Sequence, residues 1–346
     1  MEIIKVGIVS NQDEFVHALV KGLARNSRGM SFCILNSVED GADCQMILST
    51  EKIEDQRCVH LSVVREDNCQ VDGPPYRLYR YEDCQMMTKQ LLFIFFSMTG
   101  RIVESGLQRN CKILVITSEC GGAGATSLSI SLGRALFNLY GYRSLYLNLC
   151  PINDGYKFLP NPQFNYTKKL FYYLDMERSF PLEPFISSAD QLDYISTDYI
   201  NRHLHDLSSE IMLKLIGKIE DIGRYTYLIV DIGNHLTREN QKLMDCASHT
   251  VLLHDSRRSI PESMRCAIRE EVKARTTSGE VIIVHNFAKD QWEGDCEEEL
   301  FLEEKGDAFF FQKDDRIQIN LKHGYGMGIA AIAKRIVEEV NRNEVQ

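Results

Sequence analysis

Residues 112–140 constrain this chain most. An apolar run, KILVITS, is followed by ECGGAGATS and then by LSISLGRALFNLY, whose apolar residues recur at helical spacing. The order is buried strand, glycine loop, helix. Gly121, Gly122 and Gly124 let the backbone turn and approach a partner with no Cβ in the way, and successive N–H groups opening a helix cradle an anion. Thr126 then stands where a hydroxyl can reach a divalent cation, and Ser127 where one can donate to a phosphate. The same letters also suit a tight strand-to-helix turn that binds nothing, so other positions must decide between the two.

Strand-like and helix-like segments alternate beyond this loop: SLYLNL, LDYIS, helical residues 207–222, YTYLIVDIG, HTVLLH, a helix near 262–274, EVIIVHNF and a last helix over 328–340. This predicts an α/β fold with a mostly parallel, doubly wound sheet. Residues 1–98 carry a smaller α/β pattern of five strand candidates with intervening helices. The strands are IIKVGIVS, MSFCILNS, QMILST, CVHLSVV and YRLYRY, with helices over 15–24 and from about Asp83 through LLFIFFSM. Residues 99–110 are polar and Gly-punctuated and read as a linker, leaving 111–346 for the larger domain. A length of 346 residues suits two domains at roughly 150 residues each.

Composition narrows the function classes. Lys plus Arg (39) against Asp plus Glu (49) leaves a net charge of −10, so no broad positive field draws phosphate backbones and no nucleic acid partner is expected. The eleven cysteines form no C-x-x-C pair and read as free thiols of a reducing, cytoplasmic setting. The N-terminal residues run into a strand with no signal-peptide pattern, and LLFIFFSM is far short of a membrane span. The tail AAIAKRIVEEVNRNEVQ has mixed charge and reads as a surface-packed helix, so direct membrane insertion is not expected. The acidic residues Glu297, Glu298, Glu299, Glu303 and Glu304 read as a solvated face, with a basic partner as the alternative. His249, His254 and His285 lie in or beside apolar strands and read as core or edge histidines rather than metal ligands. The aromatics of residues 164–173 read as helix packing rather than base stacking.

Two further positions bear on the loop. Asp231 ends the apolar strand YTYLIVD, where a carboxylate can hold Mg²⁺ through water or simply cap a turn. Asn286 follows the strand EVIIVH and is either a turn residue or an amide available for recognition. With these residues in view, the loop resembles the deviant Walker A of the MinD and ParA family of P-loop proteins, Lys-Gly-Gly-x-Gly-Lys-Thr. The resemblance assigns Gly121, Gly122, Ala123, Gly124, Ala125, Thr126 and Ser127 to an ATP phosphate loop. It also implies Mg²⁺ held by Thr126 and Asp231, and adenine read by Asn286.

The departures from that pattern are as informative. Cys120 and Ala125 stand where the family has its two lysines, and Asn148 and Cys150 where it has a pair of aspartates, the second of which positions the attacking water. Asp154 is nearby but wrongly spaced. Positions suited to holding Mg-ATP are largely kept while those suited to turning it over are changed, so no residue is assigned a catalytic role. The alternatives are a working ParA/MinD-type ATPase whose missing charge comes from another residue, and an interaction module with a vestigial loop.

The N-terminal domain resembles a response-regulator receiver in length and element order, without its chemistry. Ser10-Asn11-Gln12-Asp13 follows the first strand and the third ends at Ser49-Thr50, which leaves Asp13 as the one acid expected near that pocket and implies a pseudo-receiver. A receiver-like domain joined to a lysine-poor MinD-like domain resembles the TadZ/CpaE family of Tad (Flp-type) pilus assembly. That resemblance implies a cytoplasmic homodimeric scaffold recruited to the cell pole, with pilus components at the inner membrane face as partners.

Overall fold

A computed structural model describes residues 3–343 apart from 12, 28, 65–69, 72, 102–110, 161–166, 177–179, 196–207, 289–298, 304–308, 312–315 and 321–323. Most of the linker reading (99–110), Phe164, Glu297, Glu298 and Glu304 therefore lie outside the described residues. The chain divides into two units, residues 1–107 with 175–184, and residues 108–174 with 185–346.

The first unit runs β1 (Ile4–Val9), α1 (Asp13–Asn26), β2 (Met30–Leu35), β3 (Met46–Ser49), β4 (Cys58–Ser62), β5 (Tyr76–Tyr79) and α2 (Cys84–Thr99). Its five strands are parallel in the order β2-β1-β3-β4-β5, the flavodoxin-like order. Ile4, Val6, Ile8, Leu23, Leu91 and Ile94 are buried, and α1 packs on α2. Helices do not intervene throughout as the sequence pattern suggests: 36–45 and 50–57 contain no α-helix. Eight residues between β3 and β4 are too few for a helical crossover, which needs about a dozen. At the strand ends Thr50 Oγ1 donates to Ser10 Oγ at 3.1 Å, and Asn11 Nδ2 donates to Glu51 Oε1 at 2.9 Å. Asp13 opens α1, so Glu51 is a second acid at this end of the sheet that the sequence reading overlooked.

The second unit runs β6 (Lys112–Ser118), α3 (Ala125–Tyr140), β7 (Ser144–Asn148), α4 (Thr167–Asp175), β8 (Ile186–Ala189), β9 (Leu192–Ile195) and α5 (Ser209–Ile222). It continues through β10 (Tyr227–Gly233), α6 (Arg238–Asp245), β11 (His249–Asp255), α7 (Glu262–Arg275), β12 (Glu280–Ala288), β13 (Glu299–Glu303), β14 (Phe309–Phe311), β15 (Ile317–Ile319) and α8 (Gly324–Asn343). Eight strands form one sheet in the order β13-β12-β11-β6-β10-β7-β9-β8, all parallel except β8. Leu114 and Ile116 on one pleat of β6 join a core with Leu128, Leu132 and Leu136 of α3 and Ile329, Ile332 and Ile336 of α8. Ile113 and Val115 on the other pleat are buried as well, beneath the side where α6 meets β6 and α7 meets β11. Burial on both pleats is what a doubly wound parallel sheet demands of its central strands.

The C-terminal helix spends its apolar stripe on this core, and no described helix is long and apolar enough to cross a membrane. Within the acidic run, Glu299 departs from its reading as part of a solvated face. Residues 299–303 form β13 beside β12, and Glu299 is largely buried between His285 Nε2 (2.6 Å) and Arg269 Nη2 (3.2 Å). Cationic and imidazole partners from other elements offset the cost of taking that carboxylate from water.

Candidate functional site

β6 leads through the glycine loop into α3, and the chain returns as β7 two places away, with β10 between them and β11 on the other side. The ends of β6, β10 and β11 thus meet at a topological switch point, where open α/β sheets take ligands beyond the carboxyl ends of their strands. The loop occupies that crevice. Gly122 (φ 80°) and Gly124 (φ 97°) adopt the left-handed conformation, and a Cβ on Gly124 would lie 2.4 Å from Asn286 Nδ2. Glycine is required there on both counts. No side chain caps α3 after Gly124, which leaves the first N–H groups of the helix facing the crevice. Ala125 tucks its methyl into the core, and burial raises the Cys120 thiol, so neither brings charge.

Beneath the loop lies Asp231, fully buried at the end of β10. Its Oδ2 accepts from Thr126 Oγ1 at 2.6 Å, Tyr146 OH at 3.2 Å and Asn148 Nδ2 at 3.5 Å. Its Oδ1 accepts from Gly233 N at 3.0 Å and from the Cys150 thiol at 3.5 Å. Burial raises the Asp231 carboxyl above the ordinary value, against the lowering pull of Thr126, Gly233, Cys150 and Tyr146. Burial, together with the Asp231 charge, raises the Cys150 thiol and the Tyr146 phenol. Asn148 and Cys150 are thus buried supports of Asp231, and neither offers a base to a water in the crevice.

Asn286 sits at the end of β12 with its amide engaged on the loop. Nδ2 donates to Ala123 O at 2.8 Å and Oδ1 accepts from Phe287 N at 2.9 Å. These bonds fix the loop's shape and use one of the two Nδ2 hydrogens and one of the two Oδ1 lone pairs, leaving one of each. Phe287 beside it holds a positive φ of 60°.

Three groups here escaped the sequence reading because they pair only in the fold. Glu119, at the base of the loop, takes His254 Nδ1 on Oε2 at 2.6 Å and the Asp255 N–H on Oε1 at 2.8 Å. Burial alone pushes the Glu119 carboxyl up, but the His254 and Asp255 contacts outweigh it and leave it lowered. From the turn after β11, Arg257 Nη2 donates to Gly122 O at 3.2 Å and Arg258 Nη2 to Gly121 O at 2.9 Å. Two adjacent arginines after an apolar strand were the one available signal.

The oxygen donors Thr126 Oγ1 and Asp231 Oδ2 lie side by side below an uncapped helix start, a hard donor pair of the kind Mg²⁺ takes together with phosphate oxygens. Among the described residues no cluster of three or more His, Cys, Asp or Glu could hold a metal alone. The residues therefore fit a cation that arrives with its own phosphate ligands.

No protein-family model matches the chain, and no curated protein matches it. Among solved structures it is similar to a ParA family ATPase from Chlorobium tepidum TLS, at 16% identity over 58% of this chain and 87% of that one, with a TM-score of 0.47. It is similar to a putative plasmid partition protein from Borrelia burgdorferi B31 bound to AMPPNP, at 14% identity over 68% of this chain and 100% of that one, TM-score 0.47. A third is the MinC:MinD cell division protein complex of Aquifex aeolicus, at 17% identity over 66% of this chain and 96% of that one, TM-score 0.46.

Proposed function

We propose that the second unit binds Mg-ATP with little or no turnover, and that the whole chain acts as a homodimeric scaffold placing Tad-type pilus machinery. The observation that carries the binding half is the Thr126–Asp231 contact beneath a loop whose glycines hold positive φ. In this reading the N–H groups of residues 121–127 receive the phosphates, and Thr126 and Asp231 hold Mg²⁺, which supplies positive charge to the phosphate oxygens. Asp231 is kept in place by Tyr146, Asn148 and Cys150. The scarcity of turnover follows from the same supports, since the family's water-positioning carboxylate is here a buried thiol.

The pilus role rests on the resemblance of the two-part architecture, supported by the β2-β1-β3-β4-β5 order of the first unit and by hydroxyls, Ser10 and Thr50, at its strand ends. Phosphate release and light scattering on the same Mg-ATP samples test the biochemical half: dimer growth without sustained release is expected, and multiple turnovers that Asp231→Ala abolishes would replace it with a working ATPase. That second reading is favoured by the two arginines at the loop, which supply charge the loop lacks. A fluorescent fusion tests placement; a diffuse signal in cells that assemble Tad pili would contradict it.

A further inference from the structure

From Cys120 to Ser127 the loop carries no charged side chain. A polyphosphate held there by N–H groups alone brings several negative charges to a protein of net charge −10. Among the described residues, the cations that hydrogen-bond to this stretch are Arg257 and Arg258, through Gly122 O and Gly121 O. We infer that these two arginines take over the work of the missing loop lysines and bind the terminal phosphates of the nucleotide, an inference that rests on the loop binding a nucleoside triphosphate.

The turn that carries them is built onto the loop. Asp255 grips Arg257 bidentately, Nε to Oδ1 and Nη2 to Oδ2, both at 2.9 Å, and meets Arg258 Nε at 3.3 Å. Glu119 fixes the start of the turn through the Asp255 N–H, and Arg265 Nη2 reaches Asp255 O and Arg258 O, both at 3.3 Å. The Arg257 guanidinium lies 3.5 Å from the centre of the Phe287 ring, whose edge reaches to 3.9 Å of where a Gly124 Cβ would be. A flat cation on a flat ring is held by the ring's negative face and keeps its edge donors in plane.

Charge and exposure point the same way. Arg257, Arg258 and Arg265 stand against the carboxylates of Asp255 and Glu119, an excess of one positive charge at the loop. Both carboxylates are buried and Arg265 is partly buried, whereas Arg257 and Arg258 keep 40% and 52% of their side chains exposed. Their exposed guanidinium groups can meet a ligand that arrives from solvent. Guanidinium forks match phosphate oxygens bidentately, so a short swing from loop carbonyls to phosphates exchanges neutral acceptors for charged ones.

The test is titration of Mg-ATP, Mg-ADP and AMP into the full chain, wild type, Arg257→Ala, Arg258→Ala, the double variant and the double lysine variant, with thermal midpoints as a folding control. Wild type is expected to bind ATP more tightly than AMP. Each alanine should weaken ATP about tenfold (~1.4 kcal/mol) while AMP changes less than twofold, with lysines restoring part of the loss. Wild type binding and unchanged ATP affinity in the double alanine variant would overturn the inference and leave the loop reading standing. Equal losses for ATP and AMP would also overturn it, by showing that the arginines only shape the loop. No binding of any nucleotide by wild type would instead overturn the loop reading itself, and the inference with it.

Discussion

The Thr126 hydroxyl donates to Asp231 Oδ2 at 2.6 Å and so ties the first turn of α3 to the end of β10. The bond gives a fully buried carboxylate one of several donors that keep it in place, and it sets two side-chain oxygens side by side at the floor of the glycine loop. Everything else at the site supports this pair or closes over it: Asn148 and Cys150 from below, Asn286 and the arginine turn from the rim.

Gly124 is the loop position least able to change. Gly124→Ala forces a positive φ on a residue with a Cβ and drives that Cβ to 2.4 Å from Asn286 Nδ2. A loss of ~1–3 kcal/mol is expected, or about 2–4 °C in thermal midpoint per kcal/mol. Adding Asn286→Ala removes the steric part, so a double-mutant cycle by thermal denaturation should show a double variant less destabilised than the sum of the singles. Additive losses would place the strain elsewhere.

Acid should weaken the second unit through His249. Burial, aided by the charges of Lys112 and Arg335 and opposed by Glu280, lowers its imidazole to about 4 from 6.5. The native state therefore takes up this proton later than the unfolded chain. Stability is whole above about pH 6.5 and declines as pH falls toward 4, by up to ~3 kcal/mol at 1.36 kcal/mol per unit. His249→Gln should flatten that limb of a denaturant-midpoint series from pH 7 to 4; an unchanged limb would assign it to other groups.

Thiol reactivity should sort by burial. Burial, then the Glu220 charge, pushes Cys111 up to about 12, and burial together with Asp231 raises Cys150. Cys33, Cys246 and Cys266 are exposed. A maleimide at pH 8, read by peptide mass spectrometry, should label these three within minutes and reach Cys111 and Cys150 only in denaturant. Labelling of Cys150 at the rate of Cys266 would mean that the Asp231 pocket opens readily.

The strand-loop-helix unit and the Asp231 strand were legible because their signals are local: an apolar run, glycines where φ must be positive, a polar residue at a strand end. All five strand segments of the first unit were legible for the same reason. Strand order was not, since β10 inserts between β6 and β7 by long-range pairing that no window of sequence displays. β13 was hidden by its glutamates, whose partners Arg269 and His285 come from α7 and β12. The role of Asn286 as a brace on Ala123 and the reach of Arg257 and Arg258 to the loop likewise exist only once β11, β12 and β6 are adjacent.

Calorimetric titration of Mg-ATP into the full chain, wild type and Thr126→Ala, with and without Mg²⁺, tests nucleotide binding most directly. Saturable wild-type binding that depends on Mg²⁺ and falls about tenfold or more in Thr126→Ala is the expected result. Wild type that binds nothing at millimolar ATP, or binds equally well without Mg²⁺ and without the Thr126 hydroxyl, would contradict it.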